Sequence, residues 1–210
     1  MIAFISSLVP DDIAAHAPAL LVALPMLMAP VAAFMPNGRL AWILSILATA
    51  ASLIMAITLL AQVRSIEGGA VISYAMGGWA PDAGIEFRID ALNSMVLLLV
   101  STIGFLAAIF SWPSVKAEIR DAKRAMFYAA YLVCFTGLTG VASTGDAFNL
   151  FVFLEISSIA TYVLVALGAT RDRRALPAAG NYLLMGTIGA SFFVVGVGFL
   201  YAATGTLNMA

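Results

Sequence analysis

Six stretches of the chain are each long enough to cross a lipid bilayer and consist almost entirely of apolar residues. A membrane-spanning helix needs roughly 20 such residues to cover about 30 Å of hydrocarbon. The stretches are 18–35, 40–62, 91–112, 125–143, 147–168 and 181–204. With 63% hydrophobic and 10% charged residues and a mean hydropathy of +1.04, the composition is that of a polytopic membrane protein. We therefore predict an all-α polytopic membrane protein with about six transmembrane helices.

Basic residues between the spans predict the orientation of the chain, because cytoplasmic connections retain Lys and Arg. The connections after the first, third and fifth spans hold eight basic residues: Arg39, Lys116, Arg120, Lys123, Arg124, Arg171, Arg173 and Arg174. The opposite side holds only Arg64 and Arg88. We expect a multi-pass protein of the inner (cytoplasmic) membrane, with both termini on the non-cytoplasmic side.

The spans divide the chain into regions with different expected structures. These are an N-terminal interfacial segment (1–17), helices 1 and 2 (18–62), an outer-face connection (63–90), helix 3 (91–112), a basic cytoplasmic loop (113–124) and helices 4 to 6 (125–210). In helices 4 and 6 we expect the glycines to permit close contact between helices, with a hinge as the alternative. They include Gly137, Gly140, Gly186, Gly189, Gly196 and Gly198.

The connection between spans 2 and 3 carries the pattern of a half-buried strand. Residues 85–90, with the sequence IEFRID, alternate strictly between apolar and polar side chains. The preceding APDAG contains the turn-forming residues Pro81, Asp82 and Gly84. We predict a short β-hairpin on the outer face of the bundle, with an irregular loop as the alternative.

The fifth span carries a carboxylate in its most apolar part, FNLFVFLEISS at residues 148–158. The turn Thr144-Gly145-Asp146 precedes this span, and Asp146 suits the N-cap of a helix. Glu155 then lies about 13 Å into the membrane at 1.5 Å per residue, close to the bilayer midplane. The span still inserts, because its twelve Leu, Ile, Phe and Val residues outweigh a cost of about 3 kcal/mol for one acidic residue.

Two explanations of Glu155 follow from the residues alone. It either hydrogen-bonds another helix and fixes packing, or it takes up and releases protons, as ionisable side chains inside membranes commonly do. Ser158 and Tyr162 follow at i+3 and i+7 and share its helix face, so the three side chains could hold water and pass protons. None of the six spans contains Lys or Arg, so this chain lacks a basic partner for Glu155.

Other functional classes lack their sequence signals. The lone Cys134 forms no disulfide or cysteine-based metal motif, and no glycine-rich nucleotide loop follows a strand. His16, beside Asp11 and Asp12, is expected to be a solvated interfacial residue rather than a ligand. The net charge of −1 gives no sign of nucleic-acid binding. We expect no cofactor, no metal and no catalysis by this chain alone.

Residues 144–168, TGDAFNLFVFLEISSIATYVLVALG, resemble the fifth transmembrane helix of the antiporter-like subunits of complex I and Mrp-type cation/proton antiporters. Among these the chain looks most like the D-type subunits of the Mrp antiporters. Three further stretches occur in the order of that family: GGWAPDAGIEFRIDALNSMVLLLVS, FYAAYLVCFTGLTGVASTGD and FLYAATGTLNMA.

The resemblance implies an ion-translocating subunit in which Glu155 is a proton relay supported by Ser158 and Tyr162. Its implied partners are other membrane subunits, the lipid bilayer, and protons with Na⁺ or K⁺. The implied complex is an antiporter or a proton-pumping enzyme like NADH:quinone oxidoreductase or a hydrogenase. In that family the glutamate is paired with a lysine on the seventh helix, so we expect an incomplete, N-terminal portion of such a protein. The alternative is a non-conducting structural or assembly subunit.

Overall fold

The structure, a computed structural model, describes residues 9–65, 71–81 and 84–210. Most of the apolar start of the expected interfacial segment and Asp82 of the predicted turn therefore lie outside the described residues. The described helices are α1 (Asp11–Ala15), α2 (Ala17–Ala33), α3 (Gly38–Ser65), α4 (Ala91–Glu118), α5 (Asp121–Ser143), α6 (Ala147–Leu167) and α7 (Ala175–Thr204).

Helices α3 to α7 are each long and apolar enough to cross a membrane, whereas α2 is apolar but has 17 residues. This confirms the predicted helical membrane fold with about six helices. Single 3₁₀ turns follow the first strand, at Met76–Gly78, and α6, at Gly168–Thr170.

The connection between α4 and α5 differs from the predicted cytoplasmic loop of residues 113–124. Helix α4 continues through Pro113 to Glu118, and α5 begins at Asp121, so only two residues separate the helices. Arg124 donates hydrogen bonds from Nε to the Ile119 carbonyl (3.1 Å) and from Nη2 to the Lys116 carbonyl (2.8 Å). These bonds satisfy carbonyls that the end of a helix leaves free. The end of an apolar run shows where a helix leaves the hydrocarbon. The helix itself can continue through the polar residues that follow.

The predicted β-hairpin is confirmed between α3 and α4. Strands β1 (Ile72–Ala75) and β2 (Glu86–Ile89) pair antiparallel, with Ile72 opposite Ile89 and Ala75 opposite Glu86. Phe87 and Ile89 are buried against the helices, as the alternating pattern predicts. This hairpin marks one end of the bundle, here called the hairpin end. The end that carries the α4–α5 connection is called the basic end.

Two clusters of buried side chains form the core. One lies toward the hairpin end and contains Leu21, Leu59, Phe87, Leu97 and Phe153. The other lies toward the basic end and contains Ala32, Ala41, Val115, Tyr128 and Leu132. Helix α7 is peripheral. In its most apolar 18-residue stretch only 6% of the residues are buried, whereas half are buried in the corresponding stretches of α3 and α5.

The glycines fall into two groups. A Cβ on Gly140 would meet the Phe153 ring, one on Gly137 would meet Ser157, and one on Gly186 would meet the Tyr162 hydroxyl. These three glycines permit close helix contact, as predicted. At Gly189, Gly196 and Gly198 an added Cβ would meet no atom of the described residues within 4 Å, so for these three close helix contact stays a prediction.

Candidate functional site

The helix that carries Glu155 begins at a capped turn. The Asp146 carboxylate accepts a hydrogen bond from the Asn149 backbone N–H at 2.6 Å, which confirms the predicted N-cap. The Asn149 side chain in turn donates to the Thr144 hydroxyl at 3.1 Å. The residues 144–146 are buried, so the start of α6 is held inside the protein.

Glu155 lies on the face of α6 that meets α7. Phe151, one turn earlier, stacks on Phe193 of α7 with ring centroids 6.4 Å apart. Tyr162, two turns later, packs edge-on against Tyr182 of α7 with centroids 5.1 Å apart. Because residues at these spacings share a helix face, Glu155 lies at a level between the two contacts.

The Glu155 side chain is half-buried, and no residue of the described part of the chain hydrogen-bonds to it or forms an ion pair with it. Ser158 is also half-buried, while Tyr162 is buried with its hydroxyl over Gly186. The structure places the three predicted side chains on one face, with no hydrogen bond joining them.

The remaining candidates have ordinary roles. His16 is exposed and its Nδ1 lies 2.9 Å from the Tyr74 hydroxyl. Cys134 is partly buried, with its Sγ 3.4 Å from the Thr161 hydroxyl. Within the described ranges, no three His, Cys, Asp or Glu side chains are close enough together to hold a metal ion.

A second carboxylate, Glu86, carries no signal of its own in the sequence. It is 2% exposed, although the alternating pattern assigns it to the polar face of β2. It accepts hydrogen bonds from the Ser73 hydroxyl and, at 2.7 Å, from Asn208 Nδ2. Since Asn208 lies 122 residues away in the chain, no local pattern indicates this contact.

Known proteins are similar to this chain in sequence and in fold. A family described as NADH:quinone oxidoreductase/Mrp antiporter, transmembrane region, matches residues 144–210. The chain is 38% identical over 196 residues to the N subunit of the NADH-quinone oxidoreductase of Desulforudis audaxviator, covering 93% of this chain and 38% of that protein. It is 35% identical over 189 residues to the D subunit of the Na⁺/H⁺ antiporter of Bacillus subtilis, covering 90% of this chain and 37% of that protein.

Solved structures agree with these sequence relatives. A chain of the membrane-bound sulfane sulfur reductase, an archaeal respiratory membrane complex, superposes with a TM-score of 0.79 at 35% identity. That match covers 91% of this chain and 38% of the other. A chain of the Mrp complex from Dietzia sp. DQ12-45-1b superposes with a TM-score of 0.82 at 26% identity, covering 93% and 36%.

These matches place the chain in the class of antiporter-like membrane subunits. The chain belongs to the family of NADH:quinone oxidoreductase and Mrp antiporter membrane subunits. This confirms the resemblance in the sequence, which extends to N-type as well as D-type members. The chain spans less than two fifths of the length of the relatives described above.

Proposed function

We propose that this chain is part of a proton- and cation-translocating membrane subunit in which Glu155 is a proton relay. The observation that carries the proposal is the lack of any partner for Glu155 in the described part of the chain. An ionisable side chain midway along an apolar helix is costly, and such residues typically serve proton or ion pathways. A carboxylate that binds and releases protons needs access to water or to a partner outside this chain.

The surroundings of Glu155 suit transfer through water. The Cα atoms of Ser158 and Tyr162 lie about 4.5 Å and 10.5 Å further along the helix axis than that of Glu155, at 1.5 Å per residue. No direct hydrogen bond joins the three side chains in the described residues, so bridging waters would connect them. The half-buried position of Glu155 would leave part of the carboxyl accessible to such waters.

The names of the relatives suggest the setting. They include the D subunits of an Na⁺/H⁺ antiporter and of a probable K⁺/H⁺ antiporter, as well as the N subunit of an NADH-quinone oxidoreductase. We therefore infer that the chain works in a multisubunit assembly, where another segment supplies the basic partner of Glu155. Eight of its ten basic residues lie at the basic end, so that end would face the cytoplasm and the hairpin end the opposite side.

The test is Glu155→Gln in the native assembly, reconstituted in vesicles with a pH-sensitive dye. The amide keeps the shape of the side chain but cannot carry the proton. We expect the rate of antiport or proton pumping to fall by about a hundredfold or more, with subunit composition unchanged. Glu118 is exposed at the end of α4, and Glu118→Gln is the matched control. The assembly that carries this control should transport normally. Wild-type transport by Glu155→Gln would refute the relay.

A second function, a non-conducting assembly role, is supported by the exposure of α7. Only 6% of the most apolar stretch of α7 is buried within this chain, so the helix offers a large apolar surface to neighbouring membrane helices. This function predicts that Glu155→Gln transports normally, whereas deletion of the chain separates the other members of the assembly in native gel electrophoresis.

A further inference from the structure

Three segments that are far apart in the sequence meet at Glu86. Besides the bonds from Ser73 and Asn208, its backbone carbonyl accepts a hydrogen bond from the Gly145 N–H at 2.8 Å. Asn208 Nδ2 also donates to the Pro81 carbonyl at 3.1 Å, and its Oδ1 accepts from the Ala210 N–H at 2.7 Å. We call the contacts among β2, residues 144–146 and residues 207–209 the hairpin junction.

The turn 144–146 lies between the two other segments of the hairpin junction, like a short middle strand. On one side Phe87 and Thr144 form an antiparallel bridge, and on the other Asp146 and Asn208 form a second one. The Ala147 N–H donates to the Leu207 carbonyl at 2.8 Å, and the Met209 N–H donates to the Gly145 carbonyl at 2.9 Å. Backbone hydrogen bonds therefore fix the start of α6 from both sides.

The same junction holds α6 and α7 together at the hairpin end. The turn 144–146 leads into α6, and residues 207–209 follow α7. Further into the membrane the two helices meet at Phe151 with Phe193 and at Tyr162 with Tyr182. Since α7 is otherwise little buried, its placement beside the Glu155 face depends on these contacts and on the hairpin junction.

We propose that Glu86 is a positioning residue for Glu155, which holds α7 against the Glu155 face of α6 through the hairpin junction. Its carboxylate is the side chain that joins β1 to residues 207–209, because one oxygen accepts from Ser73 and the other from Asn208. Removing both acceptors leaves the donors of Ser73 and Asn208 without their partner, so residues 207–209 lose their side-chain link to the hairpin and keep only the backbone hydrogen bonds to the turn 144–146. The end of α7 is then held less firmly against α6. The expected effect on transport rests on the proposed function of Glu155, whereas the geometry of the junction does not.

The prediction separates the shape of the Glu86 side chain from its charge. Glu86→Gln keeps an oxygen that accepts from Asn208, while the Ser73 hydroxyl can accept from the new amide, so the junction is retained. Glu86→Ala removes both bonds. In the native assembly we expect Glu86→Ala to lower the transport rate by about tenfold, since small misplacements of reacting groups slow proton transfer. Glu86→Gln should lower the rate by less than about twofold.

A readout that needs no transport is the reaction of Glu155 with a hydrophobic carbodiimide, which modifies protonated carboxyls inside membranes. The labelled peptide is quantified by mass spectrometry across a pH series in the native assembly. Glu86→Ala should shift the pH midpoint of Glu155 labelling, because the water and dipoles around the carboxyl change when α7 moves. Glu86→Gln should keep the wild-type midpoint. The exposed Asp12→Asn removes the same charge without touching the junction and is the matched control.

Unchanged labelling and transport in Glu86→Ala would overturn the proposal, and so would a Gln variant as impaired as the Ala variant. If Glu86→Ala does not assemble, Ser73→Ala removes only the bond of Ser73 to Glu86, and Asn208→Ala removes the other bond together with the contacts to Pro81 and Ala210. Each should shift the midpoint in the same direction, and Ser73→Ala by a smaller amount than Glu86→Ala. No shift in either of these variants would also overturn the proposal. Normal transport by Glu155→Gln, together with a shifted midpoint in Glu86→Ala, would refute the relay and retain the positioning role.

Discussion

Glu86 and Glu155 are both carboxylates in an apolar protein, yet they have opposite surroundings. Glu86 is almost fully buried and accepts hydrogen bonds from Ser73 and Asn208. Glu155 is only half-buried and has no partner among the residues that the structure describes. The Glu86 carboxylate joins two segments of the fold, whereas Glu155 is the residue proposed above as the proton relay. The two glutamates therefore differ in their partners as well as in their burial.

The largest difference is expected when each glutamate is replaced by leucine. For Glu155→Leu the segment 147–167 should insert into a membrane about 3 kcal/mol more favourably, because an acidic residue leaves the centre of the span. The measurement is the apparent free energy of insertion in a translocon-based glycosylation assay. Ser158→Leu on the same face is the control and should have a smaller effect. No gain for Glu155→Leu would mean that Glu155 is already solvated or paired during insertion.

Glu86→Leu should act in the opposite direction. We expect the free energy of unfolding of the assembly in detergent to fall by about 2 kcal/mol, because donors of Ser73 and Asn208 lose their acceptor inside the protein. Denaturant titration followed by tryptophan fluorescence would measure the change. Glu86→Gln should stay close to wild type. A leucine variant as stable as wild type would remove the contrast between the two glutamates.

Asp146 is a third acid, whose role is a local cap. Asp146→Ala should destabilise the start of α6 by about 1 kcal/mol, while Asp146→Ser should restore most of the loss. Hydrogen exchange at the Asn149 N–H would report the change. Asp90→Ala is the matched variant, because the Asp90 carboxylate caps α4 by accepting from the Asn93 N–H at 2.8 Å. Equal protection of Asn149 in Asp146→Ala and wild type would show that the hairpin junction alone holds this turn.

The smallest effect is expected at Asp121, which forms an ion pair with Arg124 and is 85% exposed. Asp121→Asn should change the free energy of unfolding by less than about 0.5 kcal/mol, because solvent screens such pairs. Arg124 would keep its bonds to the carbonyls of Lys116 and Ile119. Thermal unfolding at low and high salt would measure the effect. A larger, salt-sensitive loss would show that the pair itself holds the basic end together.

Features that depend on neighbouring residues can be predicted from the sequence, and features that depend on distant residues cannot. The hairpin follows from the alternation at residues 85–90, and the Asp146 cap follows from a turn beside an apolar run. The sequence places the end of α4 too early, because apolarity marks the membrane boundary, whereas Arg124 supports the helix beyond it. Gly140 and Gly189 look alike in the sequence, but among the described residues Gly140 lies against the Phe153 ring and Gly189 has no atom near its Cβ position.

That this chain crosses a membrane, and that Glu155 lies near the middle of one span, follow from the sequence alone, because length, apolarity and helical rise are local properties. The folded chain was needed to show that Glu86 is buried and bonded to Asn208 and that the helix face of Glu155 meets α7. It was also needed to show that Glu155 has no partner among the described residues. Hydrogen bonds and packing join residues that the chain separates by many positions. Local sequence patterns therefore do not predict such contacts.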